Sequence, residues 1–350
     1  MRLNKIILFL LISLFSASSF FAQQTKPTPS PTPAEEPAIE DEEPLRVEAD
    51  LVNILFTATD KDRRFLTNLT KDDIRIFEDG KQQQIFTFQR QLDLPLSLAI
   101  LIDTSVSQER TLPDEKAAAM AFLEEVVRQD KDEVAILTFT GETTLEQGFT
   151  SNLARIRRAV ERVEFLPPIN YAGGGVTFGS PVGGKNTGQR AAQSTAVWNA
   201  VWVTADEVMR ETKNETRRAI ILLSDGHDNN SSKRLEQAVD IALKVDAVVY
   251  SIGIGDDYMQ GVNQNALKQI SDRTGGRAFF PRDEQDLQRA FDQIQNELRS
   301  QYLIAYEPTN SKKDGSYRRI EIQMANPALE KQRVKLNHRQ GYFAETENKK

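Results

Sequence analysis

An apolar run from Leu98 to Ile102 ends on Asp103, and hydroxyls follow at Thr104, Ser105 and Ser107. A turn that only caps the next helix needs one such side chain, since a single oxygen satisfies an orphan backbone donor. Here an acid and three hydroxyls crowd five positions, and oxygen in surplus is what hard divalent cations take as ligand. A second acid, Asp225, closes another apolar run, "AIILLSDG", and glycine follows it. Alone, Asp225-Gly226 reads as a simple turn. Paired in space with Asp103, it becomes a second charge for the same ion.

Bringing the two acids together requires a particular scaffold. "LPLSLAILID", "DEVAILTFT", "RRAIILLSD" and "DAVVYSIGIG" are short Ile/Val/Leu-rich runs without strict alternation, as in strands covered on both faces. Amphipathic segments separate them: "PDEKAAAMAFLEEVVRQD", "SNLARIRRAVERV", "STAVWNAVWVTADEVMRE", "SKRLEQAVDIALKV", "NQNALKQISDRTGG" and "DEQDLQRAFDQIQNELRS". Pro113 and the acids after it mark a helix start, and Thr274-Gly275-Gly276 marks a stop. The alternation predicts an α/β fold, a doubly wound and mostly parallel Rossmann-like sheet over residues 94–299. In such sheets ligands bind at the carboxyl ends of strands, where the winding reverses. With the common strand order 3-2-1-4-5-6, Asp103 and Asp225 end neighbouring strands and project into one crevice.

Both flanks of this core have a strand texture. In residues 46–93, "DIRIFEDGKQQQIFTFQR" alternates around an Asp-Gly turn; in residues 300–344, "QYLIAYEP", "SYRRIEIQMANP" and "QRVKLNHRQGYFA" are broken by turn residues. Each flank is small for an independent unit. The expectation is that they pair into one β-sandwich-like domain into which the α/β domain is inserted; two separate appendages are the alternative. Residues 1–22 combine Arg2, Lys5 and the apolar "IILFLLISLF", and read as a signal peptide, or as an uncleaved anchor. The Pro-rich, acidic stretch 23–45 reads as a semi-rigid linker, and 345–350 as a short tail. The chain is therefore expected to be exported, whether periplasmic, secreted or associated with the cell envelope, and to meet a membrane only through an uncleaved leader.

Composition narrows the chemistry. Among the 350 residues there is no cysteine, which excludes disulfides, thiolate zinc sites and Fe–S clusters. A net charge of -7 without a Lys/Arg stripe argues against nucleic acid as a partner.

Asp103-Thr104-Ser105-Val106-Ser107 resembles the D-x-S-x-S signature of von Willebrand factor type A domains, and Asp225 stands where that family has its second acid. Thr195, in "QSTAVWNAV", is the best match for the family's threonine, although Gln193-Ser194 replace its glycines and the approach is swollen from Pro167 onward. Thr177 and Thr187 within that swelling are substitutes for it. The swelling is either a surface insertion or a specificity loop. The resemblance covers about Leu94 to Leu298 and implies a metal-ion-dependent adhesion site of Asp103, Ser105, Ser107, Thr195 and Asp225. It further implies Mg²⁺ (or Mn²⁺/Ca²⁺), with the acids acting largely through water and an open coordination position for an Asp or Glu of a protein partner. The flanks are similar to the arms of exported von Willebrand A-related proteins of acidobacteria. The expected function is a non-enzymatic protein-binding or adhesion module. A structural or assembly factor with a silent metal site is the alternative, followed by a metal-dependent hydrolase. No oligomeric state is implied.

Other motifs have weaker readings. Ser105, His227 and Asp225 contain the residue types of a hydrolytic triad, but no G-x-S-x-G elbow surrounds the serine, and His227 is expected to be a solvated loop residue. "GIGDD" and "GGGVTFG" lie away from the first strand, where a dinucleotide fingerprint belongs. Asp60 and Asp62 lack the glycine and distal Glu of a calcium loop. Asn68, Asn214 and Asn230 begin N-x-S/T triplets. Trp198 and Trp202, one helical turn apart, are expected to pack into the core or under the swollen loop.

Overall fold

The computed structural model describes residues 51–91, 94–165, 167, 194–213, 216–255 and 261–346. The leader, the linker, most of the swollen loop, Asn214 and the end of the tail lie outside the described residues.

The described chain opens with strands β1 (Val52–Thr59), β2 (Ile74–Glu78), β3 (Lys81–Gln83) and β4 (Ile85–Gln91). The core follows with β5 (Leu96–Asp103), helix α1 (Leu112–Val126), β6 (Glu133–Phe139), β7 (Thr143–Thr150) and α2 (Leu153–Arg162). It continues through α3 (Val197–Val203), β8 (Arg217–Ser224), α4 (Leu235–Lys244), β9 (Ala247–Gly253) and α5 (Gln264–Thr274). After β10 (Ala278–Phe279) and α6 (Glu284–Arg299) come β11 (Gln301–Tyr306), β12 (Tyr317–Met324), α7 (Pro327–Lys331), β13 (Lys335–His338) and β14 (Gly341–Phe343).

Six strands form one sheet in the order β10-β9-β8-β5-β6-β7, parallel throughout except for β7. This is the expected doubly wound order, and it makes β5 and β8 neighbours. Side chains of a strand alternate between the two faces of its sheet, and the packing follows that rule. Leu98, Ile100 and Ile102 of β5 join Ala219, Ile221 and Leu223 of β8 in one apolar layer under α1, α2 and α6. Ala99 and Leu101 join Ile220 and Leu222 in the opposite layer, under α3, α4 and α5. A strand buried on both faces cannot alternate polar and apolar residues, which is why these runs read as continuous. Several helix starts are capped by side chains: Asn152 accepts from Arg155 N, Asn263 from Ala266 N and Asp283 from Asp286 N. Gly275, in the left-handed conformation at φ 88°, ends α5 as the sequence indicated.

The flanking strands form two further sheets, β13-β1-β11-β4 and β14-β12-β2-β3. Each draws strands from both ends of the chain: β1 pairs with β11, and β2 with β12. Ile54, Phe56, Ile76, Tyr302, Ile304, Tyr306 and Ile320 share one apolar cluster between them. Inside it a buried Glu78 accepts from the Tyr306 hydroxyl at 2.7 Å and the Tyr342 hydroxyl at 2.9 Å, and pairs with the equally buried Arg318. The Asp79-Gly80 turn between β2 and β3 has φ of 48° and 79°, the positive values a two-residue hairpin turn demands.

Candidate metal centre

Asp103 is the last residue of β5, and Asp225 immediately follows β8, so the parallel register of these neighbours brings both acids to the carboxyl end of the sheet. The chain then leaves each strand in a tight turn. Ser105 is extended and begins a single 3₁₀ turn, Val106–Gln108, before α1. One carboxylate oxygen of Asp103 accepts Ser105 N at 2.9 Å, and the other accepts Ser224 Oγ at 2.7 Å. Ser105 Oγ lies 3.1 Å from Ser107 Oγ, and the Ser107 hydroxyl in turn bonds Asp225. Gly226 has φ of 75°, and a Cβ there would meet Leu267 Cγ at 2.7 Å, so the turn after Asp225 admits only glycine without strain.

Both acids are sealed from water, Asp103 completely and Asp225 to 4% exposure. Burial, and then the charge of Asp225, push the Asp103 carboxyl up to about 7 against the pull of Ser105 and Ser224. Burial also raises Asp225, opposed by the Ser107 hydroxyl and the His227 backbone N–H. Neither acid has a Lys or Arg partner among the described residues. Two buried like charges facing an all-oxygen set of hydroxyls and carboxylates is an arrangement that a hard divalent cation relieves. The residues present therefore fit such an ion.

Two family models described as von Willebrand factor type A domain match residues 98–227 and 185–293. Together they run through the whole sheet and both acid loops. The chain is a von Willebrand factor type A domain protein. Solved structures of similar fold include proximal thread matrix protein 1 from the mussel byssus, described with a zinc-occupied MIDAS motif (18% identity, 63% of this chain, TM-score 0.48). This chain spans about half of that protein, 50% of its length. Others are a von Willebrand factor type A protein from Catenulispora acidiphila (14%, 78% of this chain and 76% of that one, 0.45) and an aerotolerance-related membrane protein from Bacteroides fragilis (16%, 58% and 99%, 0.41). No curated protein sequence matches the chain.

Four of the five candidate ligands of the von Willebrand A site, Asp103, Ser105, Ser107 and Asp225, thus meet in one hydrogen-bonded cluster. The fifth, Thr195, is 9% exposed at the same end of the sheet. Its backbone N donates to Asn229 Oδ1 at 2.8 Å, its carbonyl accepts from Asn229 N and Asn230 N, and the next residue bonds Thr140 O beyond β6. It is held to the Asp225 loop by backbone contacts, with no hydroxyl bond to the other four. Thr177 and Thr187 lie outside the described residues.

Several partnerships were not legible in the sequence, where Asp228, Asn229 and Asn230 read only as loop polar residues that could touch a ligand at the rim. Ser224 anchors Asp103, and Asn229 anchors Thr195. Buried Gln108 donates to Ile254 O at 3.1 Å and Ser107 Oγ at 3.3 Å, while its Oε1 accepts from Thr111. Ser224 and Gln108 adjoin recognised motifs, but only tertiary contacts reveal their roles. Glu115 on α1 is fully buried, and burial with the charges of Asp103 and Asp225 pushes it up to about 8, against a pull from the Thr111 hydroxyl.

His227 corrects the sequence expectation: it is half-buried, and its Nε2 is enclosed without a hydrogen bond, because Asp225 captures its backbone and draws the loop inward. Its ring bonds neither serine, so no triad is assembled. Asp60 accepts the backbone N–H groups of Asp62 and Arg64 and the Arg64 guanidinium, closing a turn on itself. Trp198 is buried in the α3-side layer, and Trp202 packs at its margin beneath Lys233 Nζ, 4.4 Å from the ring centroid.

Proposed function

We propose that this protein is an exported, non-enzymatic binding module that recognises an acidic side chain of a partner protein through a divalent ion, Mg²⁺ or else Mn²⁺ or Ca²⁺. The observation that carries the reading is the pair of buried acids, Asp103 and Asp225, joined through serine hydroxyls and lacking a Lys or Arg counter-charge among the described residues. Ser105, Ser107 and Thr195 would bind the ion through their hydroxyls, with Asp103 and Asp225 behind them. A bound ion supplies a Lewis-acidic position that a carboxylate from outside can complete. The chain's own residues preset that position: Ser224 and the Ser105 backbone orient Asp103, Gln108 braces Ser107, and Asn229 holds the Thr195 loop.

Export is supported by the composition of residues 1–22 and by the spacer that follows. No described helix is long and apolar enough to cross a membrane. The test is calorimetric titration with Mg²⁺ and Mn²⁺, followed by capture of partners with and without EDTA. Saturable heat that disappears in Asp103→Ala, with the fold retained by circular dichroism, supports the site. No heat in the wild type sinks it and leaves a silent-site assembly factor.

A further inference from the structure

The opposite end of the same sheet holds a second buried charge that the metal site does not use. Arg217, the first residue of β8, is 7% exposed. Its terminal nitrogens donate to the carbonyls of Leu298 and, at 3.1 Å, Leu94; its Nε has no partner. No carboxylate bonds it among the described residues. The nearby Asp132 is engaged by Arg128, which itself adds positive charge, and burial disfavours the charged form of Arg217. Arg318, equally buried, shows the ordinary solution: Glu78 faces it. A guanidinium stays protonated at any physiological pH, so Arg217 cannot escape its burial by neutralising.

Arg217 lines a cavity of about 390 Å³ between β1 and β11 on one side and the amino-terminal ends of β8 and β9 on the other. That volume lies within the roughly 300–1,000 Å³ of small-molecule sites. Strand alternation turns Leu55 and Leu303 away from the double-sheet core and into this space, where they meet Val248 and Leu243. The polar lining includes Arg339, whose Nε is also buried without a partner, and Gln301, whose Oε1 is likewise unsatisfied. Arg339 has Asp246 as a partner, and half-buried Arg218, also in the lining, donates to Thr212 Oγ1 and to the carbonyls of Val245, Thr212 and Lys213. That leaves Arg217 as the buried guanidinium of the lining with no carboxylate bonded to it among the described residues.

We propose that this cavity binds a small amphiphile with one carboxylate on an apolar body, its head toward Arg217 and its body against Leu55, Leu303 and Val248. The carboxylate supplies the missing counter-charge, and the apolar walls reward the remainder of the molecule. The site shares no residue with the metal centre, and the chain from Arg217 to Asp225 separates them by about 26 Å at about 3.3 Å per residue.

The experiment uses the full chain, with sodium decanoate and decan-1-ol as probes, by calorimetry and thermal shift, with and without EDTA. Decanoate is expected to bind and raise Tm, at least tenfold more tightly than the alcohol, and equally in EDTA. Leu303→Trp, which fills the cavity and leaves Arg217 in place, should abolish binding, and Arg217→Lys should weaken it. Absence of decanoate binding, equal affinity for the alcohol, or undiminished binding by Leu303→Trp overturns the proposal. Because the readout does not involve the ion, failure of the metal site would leave this test unchanged.

Discussion

Strand β8 carries buried charge at both of its ends, and the two ends handle it differently. At the carboxyl end, Asp225 and its neighbour Asp103 repel each other, and their raised proton affinity lets a proton occupy the site until a cation does. At the amino end, Arg217 has no such recourse and satisfies itself with backbone carbonyls. Acids of modest intrinsic pKa make an adjustable site, whereas a guanidinium makes a fixed one. Between them lies an apolar stretch, Ala219 to Leu223, that is the rigid common support.

The comparison breaks most completely if the support fails. Leu222→Ala removes a fully buried side chain and should cost roughly 2–5 kcal/mol by denaturant unfolding. Both Mg²⁺ and decanoate binding should then weaken; loss of one alone would show that the ends are not mechanically joined.

Next in size is the pH dependence that Glu115, raised to about 8 from its ordinary carboxylate value, sets together with Asp103, raised to about 7. Folded protein then holds a proton that the unfolded chain has released, so stability falls as pH rises from about 4.5 to 8. Glu115→Gln should flatten that decline and stabilise the metal-free protein above pH 7 by a few kcal/mol. Identical stability–pH curves for the two proteins would show that Glu115 titrates normally.

Mg²⁺ at a hundred times its Kd should add about 2.7 kcal/mol of stability to the wild type. Asp103→Ala should gain nothing, and decanoate binding should be unaltered. The smallest effect sharpens the role of the Thr195 loop. Asn229→Ala should cost about 1 kcal/mol in stability through its lost hydrogen bond to Thr195 N, with weaker Mg²⁺ binding read by calorimetry. Unchanged affinity would remove Thr195 from the site.

Much of the α/β core was legible in sequence because its strands are buried on both faces and its helices carry their own caps and stops. Edge strand β7, "TTLEQGFT", was not: it is half-exposed, pairs antiparallel with irregular register, and shows no apolar run. The two-residue β10 and the five-residue α7 are too short to impose a period. At the site, Asp103, Ser105, Ser107 and Asp225 were legible because they sit within local motifs at strand ends. Glu115 was hidden, because a helix-face acid looks solvated until a sheet covers it.

The sequence by itself determined the local grammar: which segments are strands, where helices start and stop, and which oxygen-bearing side chains leave the strand ends. Only the tertiary structure decided which charges lack partners. Asp103 and Asp225 lie 122 positions apart, and Arg217 is isolated by segments from both ends of the described chain. Electrostatic cost depends on what is excluded around a charge as well as on the charge itself, and that exclusion exists only once distant segments have packed.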